Sequence, residues 1–442
     1  MKKSIILFLS LAFSAAAFSQ QPAKFEKIDS LLNYLYENNR FMGSIAIREN
    51  DNVVFEKAYG FADAGSKIKT DTKTKYKIGS ITKMFTSSMV FQLIEEKKLR
   101  LDTKLSKFFP EVKNANKITI AQMLNHKSGI FNFTNDPTFK DTKTSAFSKE
   151  EMVKRIAGFA PAFEPDTKAE YSNSNYLLLG YIIEDITKKT YPENLNERII
   201  TKIGLQNTCY FSKIDPLKNE AHSYSIDDAN KWEKREEWSE SQVGAAGAIQ
   251  STPEDLTAFV KALFDLKIIS KPSLDEMIKI DQNYGKGIFV FPFGERKFYG
   301  HNGGIEGFTS TLAYYPAEKL SFSIIMNGDN YDINDVVIGA MSIYYKMPYQ
   351  FPNLKTVTVD QATLKSYDGV YAAANFPMKI TIKAENGVLT AQATGQGAFP
   401  LKAVSQTEFI FEDARVNINF KENSFIFKQG GKVLDFKKEI TK

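Results

Sequence analysis

Cysteine is nearly absent from the sequence: Cys209 is the only one, so no intramolecular disulfide can hold the fold. Because apolar residues flank it over residues 205–211, we predict a buried thiol with a structural role. Histidine is almost as rare, and His126, His222 and His301 form neither a His-Glu-x-x-His pair nor a Cys/His cluster. The sequence therefore predicts neither a metal site nor another cofactor.

A strong net charge is also lacking. Removing Lys2 and Lys3 takes the formal net charge from +5 to +3, and the other lysines are scattered along the chain. Nucleic-acid binding is therefore not expected. Beyond the N terminus, no stretch is long and apolar enough to cross a membrane.

The N terminus has the pattern of a signal peptide. Lys2 and Lys3 precede an apolar run at residues 5–18, and Ala17-Phe18-Ser19 offers a small-residue cleavage site. An uncleaved N-terminal anchor is the alternative, but the run is short for a membrane span. A lipoprotein anchor is not expected, because no cysteine follows the cut. We expect residues 1–19 to be removed, leaving a periplasmic or secreted protein without a membrane anchor.

Apolar periodicity predicts the first elements of the mature chain. Residues 25–36 have helical spacing, and residues 44–47 and 53–55 flank a turn as the two strands of a hairpin. Buried-type residues then recur at helical intervals over residues 81–99. Ser80 precedes this helix directly and suits its N-cap position.

Helical patterns dominate the middle of the chain, and strand patterns return near its end. Helices are predicted at 150–156, 176–186 and 253–266, and strands at 287–291, 297–299, 308–315 and 320–326. The predicted fold class is therefore α/β: an antiparallel sheet built from both ends of the domain and flanked by helices, with an all-helical domain inserted between.

Composition changes beyond residue 347 to short alternating runs, with turns at Asn386-Gly387 and Gly430-Gly431. A small all-β barrel domain is predicted there. The expected organisation is a signal peptide at 1–19, a main domain at 20–347, a linker at 348–363 and the β-barrel at 364–442.

Three short motifs carry the chemistry. Gly79-Ser80-Ile81-Thr82-Lys83 places a serine and a lysine on one face of a helix, where a neutral amine could take the serine proton. Tyr171-Ser172-Asn173 supplies a phenol that can relay protons and an amide that can bind a carbonyl. His301-Asn302-Gly303-Gly304 lies between two strand candidates, where glycines let a substrate approach the backbone. Taken alone, each motif has a purely structural alternative. The first could be a helix cap, the second a capping turn and the third a hairpin turn.

Together and in this order, the motifs resemble the Ser-x-x-Lys, Tyr-x-Asn and Lys-Thr-Gly or His-x-Gly elements of the serine β-lactamase and penicillin-binding superfamily. The likeness to class C β-lactamases, D,D-carboxypeptidases, D-aminopeptidases and esterases covers residues 25–344. The C-terminal segment is similar in pattern to lipocalin-like domains appended to some of these proteins.

The resemblance implies a role for each motif residue. Ser80 would attack a carbonyl, Lys83 and Tyr171 would share the proton transfers, and Asn173 would hold a substrate oxygen. The backbone N–H groups of Ser80 and Gly304 would form the oxyanion hole. His126 resembles a structural position of the family.

The third motif departs from the β-lactamase pattern, because His301 and Asn302 replace lysine and threonine. A histidine is only partly charged near neutral pH, so if His301 must be protonated to bind a substrate carboxylate, that binding should weaken as the pH rises through the histidine range. The alternative is that His301 merely shapes the hairpin. This departure favours a peptidase or esterase over a β-lactamase.

The predicted function is acyl transfer to water through an acyl-Ser80 intermediate. A D-amino-acid peptidase or D,D-carboxypeptidase and a carboxylesterase rank equally, and β-lactamase ranks third. The expected partners are a small-molecule or peptide substrate, including peptidoglycan fragments. The other class left open is a catalytically silent penicillin- or peptidoglycan-binding protein, or a wall-associated module that binds through its C-terminal domain.

Overall fold

A computed structural model describes residues 22–227, 231–411, 414, 416–429 and 432–439. The predicted signal peptide at residues 1–19 lies outside the described residues. The chain divides into two compact units, Met1–Tyr349 and Gln350–Lys442. Within the described ranges, no helix is long and apolar enough to span a bilayer.

The first unit contains twelve α-helices and thirteen strands among its described residues. The helices are α1 Ala23–Glu37, α2 Thr82–Glu95, α3 Ile120–Leu124, α4 Phe139–Thr142, α5 Lys149–Gly158, α6 Asn173–Thr187, α7 Tyr191–Leu195, α8 Thr201–Ile203, α9 Glu240–Gly247, α10 Pro253–Phe264, α11 Lys271–Ile278 and α12 Ile333–Tyr344. The strands are β1 Gly43–Glu49, β2 Asn52–Tyr59, β3 Phe61–Asp63, β4 Ile68–Lys69, β5 Tyr76–Lys77, β6 Cys209–Tyr210, β7 Tyr224–Ile226, β8 Trp232–Lys234, β9 Ile249–Ser251, β10 Phe289–Phe293, β11 Arg296–Ile305, β12 Phe308–Tyr315 and β13 Leu320–Met326.

The main sheet has the strand order β10-β11-β12-β13-β1-β2, and its neighbouring strands are antiparallel. The pairing of β1 with β13, from Gly43 opposite Met326, confirms a sheet built from both ends of the unit. Helices flank both faces: Phe25 of α1 stacks on Phe55 of β2, and Arg48 of β1 reaches Thr257 of α10 from the other face.

The prediction that the insert is all-helical was wrong. Short strands within it form the small sheets β5-β9-β6 and β7-β8, the first together with residues that precede the insert. Strands of two or three residues are too short to show an alternating pattern, so the sequence gives no signal for them. One of these sheets matters for the site, because β5 leads directly into the segment that contains Ser80.

The second unit confirms the predicted all-β barrel. Its elements are α13 Gln361–Ser366, β14 Gly369–Ala372, β15 Ile380–Glu385, β16 Val388–Ala393, β17 Phe399–Ala403, β18 Glu408–Phe411, β19 Val416–Lys421, β20 Ser424–Gln429 and β21 Lys432–Lys438. Strands β14 to β21 close on themselves. Buried aromatic side chains fill the interior, with Phe425 stacked on Phe436 at 5.1 Å between ring centroids. Helix α13 begins inside the segment expected to be a linker.

Candidate active site

Ser80 lies in a single 3₁₀ turn, Gly79–Ile81, which precedes α2. The expectation that Ser80 is the N-cap was wrong: Ile81 holds that position and makes no side-chain cap. The physical reason is that a capping serine would point its oxygen at the backbone of its own helix. In the 3₁₀ turn, the Ser80 hydroxyl instead faces two other side chains, Lys83 and Tyr171.

The amine of Lys83 has three polar neighbours at hydrogen-bond distance. Its Nζ lies 2.9 Å from Ser80 Oγ, 2.8 Å from Asn173 Oδ1 and 2.8 Å from the backbone oxygen of Ala246. The side chain is fully buried. Burial holds the pKa of Lys83 well below its usual range, because desolvation penalises the ammonium form.

These neighbours match the hydrogen-bonding capacity of a neutral amine. A neutral amine has two N–H donors and one lone pair, and both Asn173 Oδ1 and the Ala246 carbonyl can only accept. Once the two N–H groups point at these oxygens, the lone pair is left for the third neighbour, the Ser80 hydroxyl. The arrangement therefore places a proton acceptor directly on the serine.

The amide of Asn173 is held in one orientation by its other contacts. The backbone N–H of Asn173 donates to Asn132 Oδ1, which also accepts from the hydroxyl of Thr134. That hydroxyl in turn accepts from Asn173 Nδ2 at 3.1 Å. The donor side of the amide thus faces Thr134, and the oxygen faces Lys83.

Tyr171 is the second group on the serine oxygen. Its Oη donates to Ser80 Oγ at 2.7 Å, and burial raises the pKa of Tyr171, although the contact with Ser80 opposes the shift. The phenol therefore stays protonated and can donate, while Lys83 accepts. The ring of Tyr171 packs against His126, with 4.5 Å between centroids.

His126 is a supporting residue. It is buried, and its Nδ1 accepts from the backbone N–H of Ser172, beside Tyr171. Burial lowers the pKa of His126 far below its usual value. A neutral, hydrogen-bonded ring packed on Tyr171 fits the structural position that the sequence analysis expected.

A cavity of about 220 Å³ opens beside Ser80. Its described lining residues are Gly79, Ser80, Phe133, Thr134, Asn173, Trp238, Val243, Ala246, Gly247, Gly304 and Ile305, and none of them is charged. Gly79 has φ +52°, and a Cβ placed on it would lie 2.7 Å from the backbone nitrogen of Gly304. Glycine at this position therefore lets the segment of Ser80 approach the strand of Gly304 closely.

Burial disfavours a positive charge on His301. It lies within β11, not in a turn, and is 2% exposed beside Phe289, with 4.4 Å between centroids. Burial lowers the pKa of His301, and its Nδ1 lies 2.5 Å from the backbone oxygen of Asn302. This lowered pKa argues against a cationic His301, and its binding of a substrate carboxylate stays a prediction. His301 and Asn302 are not among the described residues that line the cavity.

Several contributors escaped the sequence analysis. The carbonyl of Ala246 and the side chains of Thr134 and Trp238 are set by segments without a recognisable motif. Cys209 is half-buried rather than buried, and its sulfur accepts from Gln250 Nε2 at 3.2 Å. The apolar residues around Cys209 correctly indicated that it is shielded from solvent, but they predicted more burial than the structure has.

The fold and this arrangement of side chains define a serine hydrolase. The Beta-lactamase family model matches residues 28–337, and the chain belongs to that family.

Known relatives agree with this assignment. A teichoic acid D-alanine hydrolase of Staphylococcus aureus (strain MRSA252) is 28% identical over 319 residues, which cover 71% of this chain and 76% of that protein. The structure of D-amino acid amidase from Ochrobactrum anthropi SV3, complexed with L-phenylalanine amide, is similar with TM-score 0.63 and 25% identity, covering 73% of this chain and 99% of that one. The octameric penicillin-binding protein homologue from Pyrococcus abyssi shares the fold at 21% identity, with TM-score 0.67, over 93% of this chain and 99% of that one.

Proposed function

We propose that the protein hydrolyses D-aminoacyl esters or amides through an acyl-Ser80 intermediate. The observation that supports this most directly is the buried amine of Lys83, which lies 2.9 Å from Ser80 Oγ and whose pKa is held well below its usual range by burial. The relatives that act on D-alanine and D-amino acid derivatives support the choice of acyl group.

The proposed reaction follows from the hydrogen bonds around the serine. Ser80 Oγ gives its proton to Lys83 Nζ and attacks the carbonyl carbon, and the resulting oxyanion is bound by the backbone N–H groups of Ser80 and Gly304. Tyr171 passes a proton to the leaving oxygen or nitrogen and regains one from Lys83. Water then attacks the acyl-enzyme, its proton passing to Lys83, and Ser80 is restored. Asn173 holds the amine of Lys83 and stands at the cavity to contact the acyl group.

The charge of the site favours some substrates over others. The described residues that line the cavity are uncharged, so none of them offers a substrate carboxylate a cationic partner. D,D-carboxypeptidase substrates and penicillins both carry such a carboxylate. A D-alanyl ester carries an ammonium instead, and a neutral Lys83 does not repel it.

The proposed setting is the cell envelope. The N-terminal pattern at residues 1–19 supports export to the periplasm or medium, where D-aminoacyl polymers and peptidoglycan fragments are the expected substrate classes. N-terminal sequencing of the protein recovered from periplasm and medium tests this: an intact Met1 in the mature protein would contradict it.

Intact-protein mass spectrometry tests the reaction. Wild-type protein should gain one adduct from a fluorophosphonate, and Ser80→Ala should gain none, whereas Ser66→Ala, at an exposed serine, should label like wild type. Turnover should be faster for a D-alanine ester than for its L-enantiomer and for a D-Ala-D-Ala peptide with a free carboxylate. Labelling of Ser80→Ala, or preference for the carboxylate substrate, would contradict the proposal.

A further inference from the structure

A second buried lysine lies close to the site but outside the catalytic cluster. Lys77 Nζ is 2.7 Å from Glu306 Oε1, and the two side chains are 1% and 0% exposed. The amine also lies 4.2 Å from the ring centroid of Phe211. Desolvating two charges costs about as much free energy as their attraction returns, so an apolar pair of similar size would stabilise the fold as well. The ion pair therefore calls for a reason other than stability.

The pair connects the segments that form the walls of the cavity. Lys77 ends β5, three positions before Ser80, and Glu306 follows β11, two positions after Gly304. Between these two segments the backbones of Gly79 and Gly304 are in close approach.

A third segment is attached to the same carboxylate. The backbone N–H of Trp238 donates to Glu306 Oε1 at 2.8 Å, and Trp238 lines the cavity. Glu237, the residue before it, approaches Lys77 Nζ at 3.5 Å, and the hydroxyl of Ser223 lies 3.5 Å from Glu306 Oε2. One buried carboxylate thus joins the nucleophile segment, the end of β11 and the wall that contains Trp238.

We propose that Lys77 and Glu306 are positioning residues that set the distance between the backbone of Ser80 and that of Gly304. This rests on the proposed function, in which these two N–H groups bind the oxyanion. Neither residue touches the substrate. Their effect comes through the one or two residues that lie between each of them and an oxyanion donor, and an error of about 1 Å in such donors can cost roughly 100-fold in rate.

Glu306→Gln tests the proposal, because glutamine keeps an acceptor oxygen for the N–H of Trp238 and removes the charge that pairs with Lys77. We expect kcat/KM for a small neutral ester to fall roughly 10- to 100-fold, with KM within about threefold of wild type. The affinity for a boronic acid, which forms a tetrahedral oxyanion on serine, should fall by the same factor as kcat/KM.

Glu220→Gln is the matched control. Lys75 Nζ lies 3.0 Å from Glu220 Oε1, and the two side chains are 19% and 9% exposed. Neither residue is among the described residues that line the cavity. This variant loses a partly buried ion pair as Glu306→Gln does, and its kcat/KM and boronate affinity should stay within about threefold of wild type. Equal losses in the two variants would overturn the proposal.

A double variant separates positioning from stability. Lys77→Met with Glu306→Gln leaves no buried unpaired charge, so its Tm should return toward the wild-type value. Its kcat/KM and boronate affinity should remain low, and recovery of both together with Tm would overturn the proposal. The double variant carries the test if Glu306→Gln alone does not fold. Activity that persists in Ser80→Ala would instead refute the proposed function, so the two failures are distinguishable.

Discussion

Lys77 and Lys83 flank Ser80 on one segment, and both amines are buried, yet their surroundings differ in kind. Lys77 has a carboxylate partner in Glu306, at 2.7 Å. The described neighbours of Lys83 are two carbonyl oxygens and a hydroxyl, and burial lowers its pKa. A protein can therefore bury an amine by pairing its charge or by removing it. Here the paired amine joins segments of the chain, and the uncharged amine is able to accept a proton.

Lys83→Met should produce the largest effect and separates the two amines by activity. Loss of the proton acceptor is expected to lower kcat/KM by roughly 10²- to 10⁴-fold in a steady-state ester assay. Since Lys83 has no counter-charge to strand, the free energy of unfolding should change by no more than about 2 kcal/mol, measured by urea denaturation. Activity within tenfold of wild type would show that another group accepts the serine proton.

Lys77→Met is expected to give the second-largest effect on activity. Unlike Lys83→Met, it should lower the free energy of unfolding strongly. It strands the carboxylate of Glu306 in a buried site, which should lower the free energy of unfolding by about 3–5 kcal/mol. Lys75→Met, at the more exposed pair with Glu220, is the matched control and should cost less. Equal losses of stability for Lys77→Met and Lys83→Met would remove the distinction between the two amines.

Acid should destabilise the region around Lys83 through its neutral histidines. The folded-state pKa of His301 is about 3 and that of His126 is also well below 6.5, whereas both side chains in the unfolded chain have ordinary values near 6.5. The unfolded chain therefore binds the extra protons, and the stability is complete above about pH 6.5 and decreases as the pH falls. Each histidine contributes up to about 1.4 kcal/mol per pH unit. His301→Phe should reduce the slope of unfolding free energy against pH, measured between pH 5 and 6.5.

The smallest expected effect is the absence of a pH trend in substrate selection. If His301 stays neutral, the ratio of kcat/KM for a carboxylate ester to that for a matched neutral ester should be constant between pH 5 and 8. Titration of Lys83 affects both substrates and cancels in the ratio. A ratio that declines as pH rises through 6–7 would mean that a cationic histidine binds the carboxylate.

The meeting of Ser80, Lys83, Tyr171 and Asn173 in one cluster could be predicted from the sequence because its signals are local. Ser80 and Lys83 are one helical turn apart, and Tyr171 and Asn173 lie in a single motif, so the structure only had to bring two short segments together. The resemblance to a known family supplied their order. The sheet and the barrel were predictable for the same reason, since alternating runs and turns are short-range patterns.

Burial and pairing between distant segments could not be predicted in this way. The charge of His301 depends on its enclosure beside Phe289 and Tyr171, and an isolated His-x-Gly motif carries no information about that enclosure. Lys77 and Glu306 are separated by 229 positions, and neither belongs to a motif. One sequence taken alone gives no signal that two such distant residues form a pair.

The pairing of β1 with β13 has a consequence for when the enzyme becomes active. Gly304 lies on β11, which is joined to the N-terminal hairpin through β12, β13 and the pairing of β13 with β1. Contacts between such distant segments slow folding, because the loop entropy is lost before the contacts form. A chain that lacks these distant pairings therefore contains Ser80 without the neighbouring backbone of Gly304, and the proposed oxyanion site is complete only once β11 is in place.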